Sequence, residues 1–213
     1  MAVTDNASCA SRWHIVMEEL MDTTRPTAAI YRLKGYQAGP FKFEQTGKFA
    51  DYWFSLPKLG LVPHKSSIEP RRMTALLPGA IMLEINSAGR GIRVRLSGTG
   101  NSERWGFEMT NGNYLNFIPP QQHFTICQRF DQAIEHPSGL VLISNELYTS
   151  GRTRLTETVL FPMRTREPDR AILFGLITAD TERDAGLSGD LLASLHYTIS
   201  TAQFINIGAG IPD

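Results

Sequence analysis

The sequence predicts an α+β fold built on an antiparallel sheet of about five strands, with short helices on one face and a further helix near the N-terminus. Three observations carry this reading. Strand patterns cluster together and do not alternate with long helices, which argues against a doubly wound parallel sheet. Turn-forming stretches rich in Gly, Asn and Ser join neighbouring strands as hairpins. Only one helical pattern of ordinary length lies between the first two strands and the last three.

Each element follows from its local pattern. "SCASRWHIVMEELMD" reads as an amphipathic helix, with Trp13, Val16, Met17, Leu20 and Met21 on one face and Ser8 or Ser11 as a cap. A Gly- and Pro-bearing connector follows. Residues 46–57, "TGKFADYWFSLP", predict a short aromatic helix stopped by Pro57. "SSIEPRRMTALLPG" predicts one more short helix, opened by Glu69 and Pro70 and closed by Pro78. In "AIMLEI" and "IRVRLSG" apolar and polar residues alternate, the period of half-buried strands, and "NSAGRG" between them makes a hairpin. Short helical pieces span Asn101 to Phe117. "QQHFTICQRFDQAIEH" is the longer helix, and "LVLISNELY", "RLTETVLFPMR" and "AILFGLITA" close the sheet as a meander. The remainder, "GDLLASLHYTIS" and "AQFINIGAGIPD", reads as a tail.

Composition narrows the function. The chain has 213 residues, the size of one medium domain with extensions, and its 42% hydrophobic content supplies a real core. Lys plus Arg equals Asp plus Glu at 21 each, and no basic run appears, so nothing favours nucleic acid or an anionic membrane. The N-terminus lacks a signal peptide pattern, no stretch is apolar enough to span a membrane, and Cys9 and Cys127 form no CxxC. A soluble, cytoplasmic chain is expected.

The motifs that resemble catalytic or cofactor sites fail on spacing. "SGTGNSERWG" lacks the third glycine of a dinucleotide fingerprint, because Gly106 follows Gly100 by six residues, and no Lys-Ser or Lys-Thr end makes it a Walker loop. The glycines read instead as a strand end turning into a helix, supplying positive φ. His14 and Glu18 stand at i, i+4 but have no third ligand. His64, His123, His136 and His196 are scattered, and His123 and His136 flank the longer helix without a haem-binding context. There is no Gly-x-Ser-x-Gly elbow. No haem, flavin or structural metal is expected, and no catalytic residue is assigned.

The element order, together with "DYWFSLPKLGLVPHKSSIEPRRMTALLPGAIMLEI" and "RVRLSGTGNSERWGFEMTNGNYLNF", resembles the PAS domain family, in particular a bacterial PAS-like subfamily of stand-alone domains. The residues that carry it are Trp53, Pro63, Glu69, Pro70, Leu77, Pro78, Arg95, Leu96, Gly98, Thr99, Gly106, Thr110 and Gly112. One departure is "TNG", where Thr-Gly would follow directly. The resemblance covers roughly residues 46–180. It sets residues 1–45 apart as a helical extension and connector and 181–213 as a C-terminal tail.

The resemblance implies a non-enzymatic sensory or regulatory domain that binds a small molecule, a partner protein, or both. A dimerisation or adaptor domain with a filled core is the first alternative, and a small-substrate enzyme on a cone-like α+β fold the second. The resemblance places Trp105, Phe107, Tyr114 and Phe117 against the sheet, as cavity lining or as core. Alternation puts Arg95 on the polar face of its strand, where it would hold an anionic ligand or pair structurally with Glu103 or Glu108. The stripe Trp13, Val16, Met17, Leu20 and Met21 is expected to form a homodimer interface. A separate output protein is an expected partner.

Overall fold

The computed structural model describes residues 41–86, 91–167, 170–180 and 192–212. The first helix among the described residues, α1 (Glu44–Ser55), matches the aromatic helix expected before Pro57. Phe43 at its N-cap offers no side-chain acceptor. The buried Glu157 carboxylate does this work from the sheet face beneath the helix, accepting from the backbone N–H of Lys42 at 2.8 Å and of Phe43 at 3.2 Å. At the other end the Lys58 ammonium donates to the carbonyls of Trp53 and Phe54 at 3.1 and 2.7 Å.

The segment expected as one short helix is three 3₁₀ turns, Lys65–Ser67, Pro70–Arg72 and Thr74–Gly79. Pro70 and Pro78 remove backbone donors, so no i→i−4 ladder propagates through it. The strands β1 (Ala80–Asn86) and β2 (Ile92–Ser97) follow, then α2 (Thr99–Trp105) and α3 (His123–Glu135). The meander is β3 (Ser138–Tyr148), β4 (Thr153–Met163) and β5 (Arg170–Ala179), all within a few residues of expectation.

The sheet has six strands, not five. The stretch read as a tail contains β6 (Leu192–Asn206), which pairs with β3 antiparallel from Ser138↔Asn206 to Tyr148↔Leu192. It was illegible for two reasons. As an edge strand it exposes Thr198, Ser200, Thr201 and Gln203, and register shifts opposite β3 break its alternation. The full order is β2-β1-β5-β4-β3-β6, every neighbouring pair antiparallel.

Helical segments cover both faces of this sheet, whereas short helices were expected on one. Leu83, Leu140, Leu142, Leu160 and Leu173 face α2 and α3, where Trp105, Ile126 and Phe130 complete a core. The alternate residues Val141, Val159, Phe161 and Phe174 face α1. Trp53 stacks on Phe161 with centroids 4.7 Å apart and donates its indole N–H to the Met163 sulfur at 3.1 Å.

The β1–β2 pairing slips between Met82↔Leu96 and Leu83↔Val94, leaving Arg95 as the extra residue of a bulge. Ile92 and Val94 are buried as alternation predicts, but Leu96 is shifted out of phase and 42% exposed. The glycines that end this strand also act differently from expectation. Gly98 has a φ of −68°, and a Cβ there would collide with the carbonyl oxygens of Leu77 and Pro78. Gly106, with φ of 76°, does end α2 in the left-handed conformation. In "TNG" the inserted Asn111 takes φ of 70°, and its N–H bonds the Val94 carbonyl at 2.7 Å, so the insertion folds back onto the β2 edge.

Candidate functional site

Among the residues expected to line a ligand, Trp105 and Tyr114 are buried in the core between the helices and the sheet. Tyr114 packs on Phe130 with centroids 5.9 Å apart. Phe107 and Phe117 stack on each other at 5.3 Å, Phe107 lies 6.3 Å from Trp105, and this short aromatic column runs from core to surface. Arg95 lies on the opposite face of the sheet from all four. Its Nη1 donates to Glu84 Oε2 at 2.7 Å, so its partner is Glu84 and neither Glu103 nor Glu108. The Glu108 carboxylate instead accepts from the Thr110 N–H at 2.8 Å and the Ser102 hydroxyl at 3.0 Å. The stripe from Trp13 to Met21 and Cys9 lie outside the described residues, as do His14 and Glu18.

The space between helices and sheet is packed, but it has a polar rim. Glu146 sits on the helix-facing side of β3, fully enclosed. It accepts from Trp105 Nε1 at 2.9 Å through one oxygen and from the Tyr148 hydroxyl at 2.8 Å through the other. Arg104 Nε stands 3.5 Å from that second oxygen, an ion pair without a directed hydrogen bond, and its guanidinium lies over the Trp105 ring at 4.7 Å. Arg154 is directly opposite Glu146 across the β3–β4 ladder and lies over the Tyr148 ring at 5.1 Å. Burial pushes the Tyr148 hydroxyl well above the usual tyrosine range, and the charge and hydrogen bond of Glu146 add to the rise. Tyr148 is therefore held as a donor.

This cluster opens into a cleft of about 780 Å³, a size suited to a small molecule. Arg104, Tyr148 and Arg154 line it together with the polar Gln45, Asn101, Glu103, Thr178 and Asp180 and the apolar Ala75, Leu76, Pro78 and Leu176. Local geometry fixes α2 beside it: Asn101 Nδ2 donates to the Ala80 carbonyl at 3.1 Å and the Gly98 N–H to the same oxygen at 2.8 Å. Sequence reading missed Arg104, Glu146, Tyr148 and Arg154. A signal was present, because Glu146 shares one side of its strand with Leu140, Leu142 and Ser144, and an acid on that core-facing side must find partners.

Among the described residues no three His, Cys, Asp or Glu side chains group to hold a metal. His123 is directed at the Ile118 carbonyl at 2.8 Å. Cys127 is half-buried, and burial, aided by the nearby Asp131, raises its thiol pKa. No helix among the described residues is long and apolar enough to cross a membrane.

No curated protein matches this sequence. Similar solved structures include a light-oxygen-voltage domain from work on a flavin analogue, with 10% identity, a TM-score of 0.40 and coverage of 54% of this chain and 86% of that one. Another is the PAS domain of a protein from Colwellia psychrerythraea, with 14% identity, a TM-score of 0.39 and coverage of 53% and 97%. A third is a sensory box histidine kinase/response regulator from Burkholderia thailandensis E264, with 13% identity, a TM-score of 0.36 and coverage of 56% and 91%. The family described as "PAS domain" matches residues 41–178, well over half of the chain, from the start of α1 nearly to the end of β5. On the strength of that match, which includes every residue of the Glu146 cluster, the chain belongs to the PAS domain family.

Proposed function

We propose that this PAS domain is a non-enzymatic sensory or regulatory module that binds a small molecule in the cleft lined by Arg104, Tyr148 and Arg154. PAS domains are typically sensory or regulatory and generally non-catalytic, which supports the broader half of this reading. The observation that carries the finer half is the enclosed Glu146, two of whose partners, Tyr148 and Arg104, line an open cleft. A ligand bound at Arg104 or Tyr148 would disturb Glu146 and, through Trp105, the core. The test uses native mass spectrometry of freshly purified protein and a thermal-shift screen of small organic molecules. Ala75, exposed on the lip of the cleft, is replaced by Trp to fill it without touching the buried charges. Retained or stabilising ligand in the wild type, lost in Ala75→Trp, is the expected result.

The packing of Trp105, Tyr114, Ile126 and Phe130 favours a second reading, an adaptor with a filled core. Wild type and Ala75→Trp then behave alike, with no ligand response in either. In both readings the output passes through a separate protein. We also propose pairing of two copies through Trp13, Val16, Met17, Leu20 and Met21, tested by light scattering of the full chain and of a version lacking residues 1–24.

A further inference from the structure

We propose that the exposed end of the α1-facing side of β1, β2 and β5, around Glu84, is a docking surface for an acidic, carboxylate-rich segment of a partner protein. This surface lies on the side of the sheet away from Trp105 and Glu146, so the proposal stands apart from the cleft. Glu84 is nearly buried, and three guanidinium groups converge on its carboxylate: Arg95 at 2.7 Å, Arg170 at 3.6 Å and Arg93 at 3.9 Å. One carboxylate cannot neutralise three cations. Arg170 also reaches Glu167 at 2.9 Å, but Lys65 draws on that same carboxylate at 3.9 Å.

The excess continues along the surface. The Lys65 N–H bonds the Arg164 carbonyl at 2.9 Å, which sets the two residues side by side. Burial lowers the neighbouring His64 pKa, and the charges of Arg166, Arg164 and Lys65 lower it further. Among the described residues, Lys65, Arg93, Arg95 and Arg170 thus gather around Glu84 and Glu167, on a chain whose formal net charge is +0, with Arg164 and Arg166 near His64 and the Arg164 Nη1 donating to the Leu59 carbonyl at 3.1 Å. A concentration of one sign on a neutral chain implies a local partner of the other sign.

The geometry selects carboxylates held on a protein. Arg93 stands directly opposite Glu84 in the β1–β2 ladder, and Arg170 ends the β5 ladder opposite Asn86, so sheet pairing fixes where these side chains leave the backbone, and Arg93 Nη2 is further held by the Asn111 side-chain oxygen at 2.7 Å. Arg93, Arg95 and Arg170 keep 52%, 41% and 40% of their side chains exposed. Their planar donor forks suit two-point contact with carboxylates. Beside them, Leu96 offers an exposed aliphatic contact that a peptide side chain can cover, and not the aromatic platform on which unpaired bases stack.

The test measures binding of a fluorescent peptide of alternating Glu and Leu to the full chain at physiological salt, by anisotropy. A duplex DNA oligomer and phosphatidylcholine–phosphatidylserine vesicles run in parallel. Arg93→Glu/Arg166→Glu reverses two exposed charges and leaves the Arg95–Glu84 contact in place. Arg152→Glu, beyond the opposite end of β4, is the control. The expected result is saturable peptide binding that weakens by about tenfold or more in the double variant and is unchanged in Arg152→Glu. Absence of peptide binding, or equal loss in the control, overturns the proposal. So does stronger dependence on Arg93 and Arg166 for DNA or vesicles than for peptide. Self-association of the wild type that the double variant abolishes overturns it in favour of a second copy of this chain.

Discussion

The indole N–H of Trp105 is bonded to Glu146 Oε1 at 2.9 Å with both side chains buried, and this bond fastens the last turn of α2 to the end of β3. Tyr148 holds the other oxygen of the same carboxylate at 2.8 Å. Because a buried carboxylate must keep its donors, the two are energetically coupled.

Removing either donor is therefore expected to destabilise the fold. Trp105→Phe and Tyr148→Phe should each cost about 1.5–3 kcal/mol, the range for hydrogen bonds to a charged group. Together they should cost more than their sum, since Glu146 then keeps only its ionic contacts. Urea unfolding of the wild type, both single variants and the double variant measures the coupling. Simple additivity would show that the two donors act independently of the shared carboxylate.

The two glycines that bracket α2 should fail for different reasons. Gly98 has a backbone any residue adopts, but its Cβ position is occupied by the Leu77 and Pro78 carbonyls. Gly98→Ala must displace backbone and is expected to cost about 3 kcal/mol or more, the upper end for overpacking. Gly106→Ala meets a conformational penalty of about 1–2 kcal/mol from its left-handed φ. Equal losses at the two positions, read by chemical denaturation, would contradict this division.

Lys58 gives a pH signature. Burial lowers its pKa from 10.5 to about 8, while its ammonium caps the C-terminal carbonyls of α1 and lies 4.6 Å from the Trp53 ring centre. A base with a lowered folded pKa binds fewer protons folded than unfolded between those two values. Stability contributed by this site should thus rise as pH climbs from about 8 toward 10.5, modestly, because the side chain is only half enclosed. The difference between wild type and Lys58→Met isolates the site from other titrations. A difference that is flat or falls across pH 8–9.5 would rule this out.

Much of this architecture was legible because its signals are local. Alternation marked β1 and β2, turn-forming stretches set off β3, β4 and β5 as a meander, and Pro57 marked the end of α1. What escaped depends on contacts distant in sequence. The Arg95 bulge exists only as a mismatch between two paired strands, so strict alternation wrongly grouped Leu96 with Val94. Glu157 serves α1 from 114 residues away, and nothing near Phe43 announces it. The candidate site was legible only in part. Trp105 was singled out as an aromatic, but its significance comes from Glu146, 41 residues later.

Tyr114 separates a filled core from an interior that holds something. Its side chain is buried and its hydroxyl has no hydrogen-bond partner of good geometry, although Tyr197, bonded to Thr158 at 3.3 Å, lies close by. Burial raises the Tyr114 pKa far above the usual range, and the nearby Tyr197 and Glu146 push it the same way, so the hydroxyl stays protonated. A buried hydroxyl left unsatisfied costs about 1–3 kcal/mol of desolvation with no return. Tyr114→Phe keeps the ring and its contact with Phe130 and deletes only that group. It should leave stability unchanged or raise it by about 1 kcal/mol, with the melting temperature moving in the same direction. A loss of more than about 1 kcal/mol would mean the hydroxyl is satisfied in solution, either by Tyr197 or by a molecule held in the interior. Repeating the measurement in a Tyr197→Phe background distinguishes those two. A loss that persists there points to a bound molecule, and one that vanishes points to the tyrosine pair.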